Sequence, residues 1–212
     1  MAEFRWFGHN CVRVRAKEAT ILTDPVGKAT GFPLPKQSAD IVTLANDHPA
    51  NRNLDAVRPE HKTVRGPGEY ELHDVFVTGV RTYTAEPGDP ERKHNTAYLF
   101  EVEGMRVCHL GDIGAALSGE QAETLADVDV LTVPAGGAPL TVAKAAELVS
   151  LLGPKLVIPV RYAAGPGDAS LGGLDAFCKA LGVEVPAPEE KLVVKSGDLG
   201  DALRVVALAP GA

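Results

Sequence analysis

The period of the hydrophobic pattern changes once along this chain, and that change limits the folds open to it. Up to about residue 110, short apolar runs alternate with polar residues or stop at turn signals, as strands with one buried face do. From Ser118 onward the pattern becomes helix, buried strand, helix, buried strand, helix. The early strands are read at Arg5 to Phe7, Cys11 to Ala16, Thr20 to Thr23 and Ile41 to Leu44. Gly8 joins the first two, and the third stops at Asp24-Pro25 before a Gly-, Pro- and Lys-rich loop through Lys36, the kind of loop that rims a pocket. Further strands are read at Thr63 to Arg65, Tyr70 to Leu72 and Val75 to Tyr83, followed by a hairpin of Thr96 to Val102 and Met105 to Leu110 over Glu103-Gly104. This first half is expected to be mostly antiparallel sheet. Ser118 and Thr141 are placed as N-caps of helices ending near Leu125 and Leu152, and Gly182 as the stop of a helix over Leu174 to Leu181. Buried strands are expected at Val128 to Val133, Leu156 to Val160 and Val205 to Leu208. A chain of 212 residues with this pattern is one domain, residues 1–212, of the α/β (α+β) class.

Composition narrows the function. A formal charge of −7 without a run of Lys or Arg argues against nucleic acid. No apolar stretch approaches the ~20 residues that span a bilayer, and the start has no basic segment followed by an apolar one. No membrane association and a cytoplasmic location are expected. Cys11, Cys108 and Cys178 are scattered, odd in number and without Cys-x-x-Cys spacing, so buried reduced thiols are expected rather than a disulfide framework or a thiolate metal cluster.

Five features fall in a telling order: Gly8-His9, Asp24-Pro25, the segment Asn46 to Asn51 after a strand, Gly111-Asp112 after a hairpin, and Ile158 to Tyr162. Together they resemble the metallo-β-lactamase superfamily, and more narrowly its small lactonase-like branch of metal-dependent hydrolases. Gly66-Pro67-Gly68-Glu69-Tyr70 and Cys108-His109-Leu110-Gly111-Asp112 strengthen the likeness. It covers nearly the whole chain. The resemblance implies a four-layer αββα sandwich with a metal site at one edge, and ligands from a His-x-His-x-Asp-His segment, a later His, the Asp of Gly-Asp and a final His.

This chain departs from that pattern at most ligand positions. The four-ligand segment reads Asn46-Asp47-His48-Pro49-Ala50-Asn51, so His48 alone survives, with Asn46, Ala50 and Asn51 at the other three places. Thr84 and Arg161 stand where the later histidines are implied, and Asp112 is the other survivor. A catalytic zinc needs three protein ligands, and His48 with Asp112 supplies two. Asp47 falls between ligand positions, and the amides of Asn46 and Asn51 suit a harder cation than zinc. Arg161 cannot lose its charge. At an effective dielectric of 20, unit charges ~4 Å apart interact by ~4 kcal/mol, so a divalent ion would be opposed by roughly twice that.

The expectation is therefore a protein of hydrolase ancestry without its zinc, serving as a binding or scaffold module, with Arg161 paired to Asp112 in place of the ion and no cofactor. The rival is a hydrolase with a non-standard mononuclear site, a divalent cation held by His48, Asp112 and Asp47, acting on a small ester, lactone or phosphoester. A milder reading has Arg161, Asn46 and Asn51 bind a small anion such as phosphate or a carboxylate. Homo-oligomer formation is open. His9 and Asp24 are further pocket candidates, although a turn residue and a strand-end brace are the plainer roles. His61, His73 and His94 are read as solvated loop residues, and Glu69 and Tyr70 as braces of a turn.

Overall fold

Phe4, Trp6, Val12 and Val14 fall on one face of the first two strands and are fully buried, while Arg5, Arg13 and Arg15 fall on the other. That parity continues through the first sheet. The structure, a computed structural model, describes residues 1–165 and 170–211. Strands β1 (Ala2–Trp6), β2 (Val12–Arg15), β3 (Thr20–Thr23), β4 (Ile41–Leu44) and β5 (Lys62–Arg65) lie side by side, with β12 (Leu192–Val194) added outside β1. The second sheet holds β6 (Gly68–Leu72), β7 (Val75–Tyr83), β8 (His94–Val102), β9 (Met105–His109), β10 (Val130–Pro134), β11 (Leu156–Val160) and β13 (Arg204–Val205) in the order β13-β11-β10-β9-β8-β7-β6.

The inner faces of the two sheets share one core, including Trp6, Ile21, Ile41, Tyr98, Phe100 and Leu110. Burying a side chain of this size stabilises the fold by about 1.5–3 kcal/mol. The Tyr98 hydroxyl crosses between the sheets and donates to the Leu44 carbonyl at 2.9 Å. Helices α1 (Gly119–Thr124), α2 (Val142–Leu152) and α3 (Leu174–Leu181) accompany the second sheet, where α2 and α3 pack together and α2 meets β10. Ser118 closes a capping box on α1, Thr141 caps α2 through the Lys144 amide, and Gly153 and Gly182 end α2 and α3 in left-handed backbone.

The outer face of the first sheet is covered differently. Cys11, Leu22, Val42 and Leu44 pack against Val26, Phe32 and Val57, which belong to a loop layer with three single-turn 3-10 helices at Lys28–Thr30, Pro49–Asn51 and Leu54–Ala56. The fourth layer of the sandwich is thin there.

Three details depart from the sequence reading. The pairs β3–β4 and β4–β5 are parallel, because residues 24–40 and 45–61 each cross over rather than turn back. The last strand of the second sheet is confined to Arg204–Val205. Strand β12 carries only three residues, too few to show a period, yet it pairs antiparallel with β1 and brings the end of the chain back to its beginning. Among the described residues no helix is long and apolar enough to cross a membrane.

Candidate functional site

The ends of β4 and β9 meet at one edge of the sandwich because a glycine stands between them. Gly111 has φ +60°, and a Cβ there would lie 2.4 Å from the Ala45 Cβ. Only glycine permits both the backbone and the approach. The turn sets Asp112 just past the strand, where its amide donates to Asn95 Oδ1 at 3.0 Å. Asn95 is itself locked, donating to Thr82 Oγ1 at 2.7 Å and to the Leu110 carbonyl at 2.9 Å.

The Asp112 carboxylate is 5% exposed and saturated with donors. Its Oδ1 accepts from Asn10 Nδ2 at 2.6 Å and from the Arg161 guanidinium. Its Oδ2 accepts from Asn46 Nδ2 at 2.9 Å and Asn51 Nδ2 at 2.5 Å. Hydrogen bonds to an ionised acceptor are about twice as strong as neutral ones, and each oxygen has two. The amide oxygens are also engaged: Asn46 Oδ1 accepts from the His48 amide at 2.9 Å, and Asn51 Oδ1 lies 3.0 Å from His9 Nδ1. Asn10 Oδ1 is the orphan acceptor of the cluster.

Backbone in the left-handed region holds the ring of residues together. His9 has φ +50° and Arg161 φ +51°, and the Arg161 amide donates to the His9 carbonyl at 3.0 Å. Non-glycine residues seldom adopt such angles unless their surroundings fix them. Here Trp6 Nε1 donates to the same His9 carbonyl at 2.9 Å.

Behind this cluster, Asp24 joins the two sheets. Its Oδ1 accepts from the Ala45 amide at 2.7 Å, and its Oδ2 meets His109 Nε2 at 2.9 Å. His109 Nδ1 in turn lies 2.6 Å from Thr132 Oγ1. Carboxylate, imidazole and hydroxyl are thus in the order of a nucleophilic triad. All three residues are at most 2% exposed, so no substrate reaches the hydroxyl and the chain serves as a brace.

The remaining predicted residues lie outward. His48, Asp47, Thr84 and Asn46 line a cleft of 390 Å³ with Asp112 at its base. His48 is exposed and its Nδ1 accepts from the Ala50 amide at 3.2 Å, capping the turn in which Ala50 sits. Asp47 turns away, with its side chain 83% exposed between Arg52 and Arg65. Thr84 Oγ1 accepts from the Lys93 amide at 2.9 Å and braces a loop. His94 corrects the sequence reading: it opens β8, accepts from Arg81 at 2.8 Å and lines the cleft. Tyr70 does brace the Gly66 turn, donating to the Arg65 and Gly66 carbonyls at 3.1 and 3.2 Å. The loop through Lys36 rims a separate depression of 570 Å³ that none of the predicted site residues lines.

Sequence reasoning missed Asn10, Asn95 and the bracing role of His109. Asn10 follows His9 directly, which was the available signal; the other two act from inside strands and turns.

The thiols take no part. Burial pushes Cys11 and Cys108 up to about 12, and it raises Cys178 as well. A thiol whose folded pKa is raised stays protonated and unreactive at neutral pH. An aromatic disulfide reagent is expected to modify the native protein at a small fraction of its rate on a free thiol and to count three cysteines once the chain is denatured.

Comparison with known proteins agrees with this architecture. The model of the beta-lactamase superfamily domain matches residues 3–161. A UPF0173 protein of Pyrococcus furiosus is 30% identical over 175 residues, covering 74% of this chain and 81% of the relative. Among solved structures, a candidate zinc-dependent hydrolase of the metallo-beta-lactamase superfamily from Thermotoga maritima superimposes with a TM-score of 0.78 at 29% identity, over 99% of each chain. A metallo hydrolase from Ignicoccus hospitalis shares the fold, with a TM-score of 0.65 at 18% identity over 100% of this chain and 96% of that one. A family match that begins in the first strand and ends at Arg161, on two sheets stacked in this order, means that the chain belongs to the beta-lactamase superfamily.

Proposed function

We propose that this protein is a binding member of the superfamily, of hydrolase ancestry, in which the Arg161 guanidinium takes the place of a catalytic cation at Asp112. The observation that carries this reading is the saturation of the Asp112 carboxylate by Asn10, Asn46, Asn51 and Arg161. A zinc ion would have to displace a fixed positive charge from the Asp112 carboxylate. Among the described residues no group of three His, Cys, Asp or Glu gathers at one point, whereas a catalytic zinc takes three such ligands. The orphan acceptor, Asn10 Oδ1, is a neutral amide oxygen and a poor zinc ligand. The residues present therefore do not fit the group that the family implies.

The rival reading, a hydrolase with one weakly held cation, draws on the description of the Thermotoga maritima structure as a candidate zinc-dependent hydrolase. It needs Asp47 beside His48 and Asp112. Asp47 instead lies 3.5 Å from Arg65 and 3.9 Å from Arg52, with most of its side chain in solvent. Elemental analysis of untagged protein separates the two. Zinc well below one equivalent is expected, with a melting temperature unmoved by chelator. A full equivalent of zinc that disappears in Asp112→Ala would establish the rival.

A further inference from the structure

Arg161, Asn46 and Asn51 turn their donors on Asp112, so the anion they hold is the protein's own carboxylate. An external anion has to be held elsewhere, and the rim above Asp112 has the groups for it. Two clefts, of 390 and 300 Å³, adjoin there and share Asn46, Asp47 and His94. Arg65 at the end of β5, Arg81 on β7 and Lys93 before β8 bring three cations to these walls. Asp47 and Asp112 are the carboxylates among the lining residues. Asp112 is neutralised by Arg161, and Asp47 lies between Arg52 and Arg65. Lys93 has a partner in Glu91 at 3.7 Å, but both side chains are more than two-thirds exposed and such a pair contributes little. The rim is thus locally positive on a chain whose net charge is −7.

Two of these cations are placed rather than loose. Arg81 donates to His94 Nδ1 at 2.8 Å, which assigns that ring nitrogen as an acceptor and orients the guanidinium. Arg65 ends a strand whose following turn is held by the Tyr98 hydroxyl, accepting from the Gly66 amide at 3.0 Å, and by Tyr70. The Arg81 guanidinium, fixed in this way, loses less entropy when it closes on a phosphate, whereas at Arg65 it is the backbone that is held. Beside them, Pro49 and Thr84 offer a less charged wall. The combined space suits a small molecule and not a protein segment.

We propose that this double cleft binds a small phosphorylated molecule, its phosphate or diphosphate held by Arg65, Arg81 and Lys93 and its uncharged part directed over Thr84 and Pro49. This deepens the binding reading above and rests on it, naming the class of ligand.

The test is a calorimetric titration of the full chain with inorganic diphosphate, at low salt, in excess chelator and again after zinc is supplied. Saturable binding with a Kd below about 1 mM in chelator is expected, weakened at least tenfold by Arg65→Gln or Arg81→Gln and abolished in the double variant. Both side chains are exposed, so their melting temperatures should match the parent, and Lys28→Gln at the separate depression should bind normally. Absence of binding under both conditions, or binding undiminished in the double variant, overturns the ligand class and leaves the metal-free reading standing. Binding that requires zinc overturns both.

Discussion

Asp24→Ala is expected to cost about 3–5 kcal/mol of folding stability, the scale of leaving two buried polar groups without their partner. The substitution strands two groups at once: the Ala45 amide, which loses its acceptor at 2.7 Å, and His109 Nε2, which loses its partner at 2.9 Å. Neither has another route to solvent, since Ala45 is 3% and His109 1% exposed. In a chain of this size the loss lowers the melting temperature by roughly 6–20 °C. Asp24→Asn should cost far less. Its oxygen can still accept from Ala45, its amide can donate to His109 Nε2, and the imidazole can move its proton to Nδ1 and donate to Thr132. Asparagine also tolerates the φ of +40° found there. Chemical denaturation of the two variants checks this. Equal losses would mean that the bracing network does not stabilise the fold.

The second large effect is at Arg161. Arg161→Ala keeps a non-glycine residue at φ +51°, so backbone strain is unchanged and the loss reports the side chain. It leaves the Asp112 carboxylate, 5% exposed, with three neutral amides and no counter-charge. A cost of about 3 kcal/mol is expected. Asp112→Asn in the same background should recover part of it, because the uncompensated charge is gone, and a double-mutant cycle then gives a coupling of at least about 1 kcal/mol. Additive losses would show that the pair is not coupled and would remove the basis for treating Arg161 as the cation's substitute.

What could be read from the sequence follows from how local each signal is. Strands such as Thr20–Thr23, Ile41–Leu44 and Val75–Tyr83 have the predicted bounds because alternation and turn residues mark them directly. The caps Ser118 and Thr141 were equally local. The pairing of Arg161 with Asp112 was inferred only by setting the chain against its family's ligand pattern, since 49 residues separate them. Asn10, Asn95 and His109 escaped because a single amide or buried imidazole looks ordinary until folding directs it at a carboxylate. Arg65, Arg81 and Lys93 escaped for a related reason: three separate segments deliver one charge each, so no run of positive charge exists along the chain.

The position of β12 has a consequence for synthesis. Strand β1 lies between β2 and β12, so one of its edges stays unpaired until residues 192–194 have left the ribosome. Residues 7–191 must therefore emerge while that hydrogen-bonding edge is open to other nascent chains. The first sheet is completed only after residues 192–194 have emerged, and slowing elongation ahead of them lengthens the interval in which misassembly competes with closure.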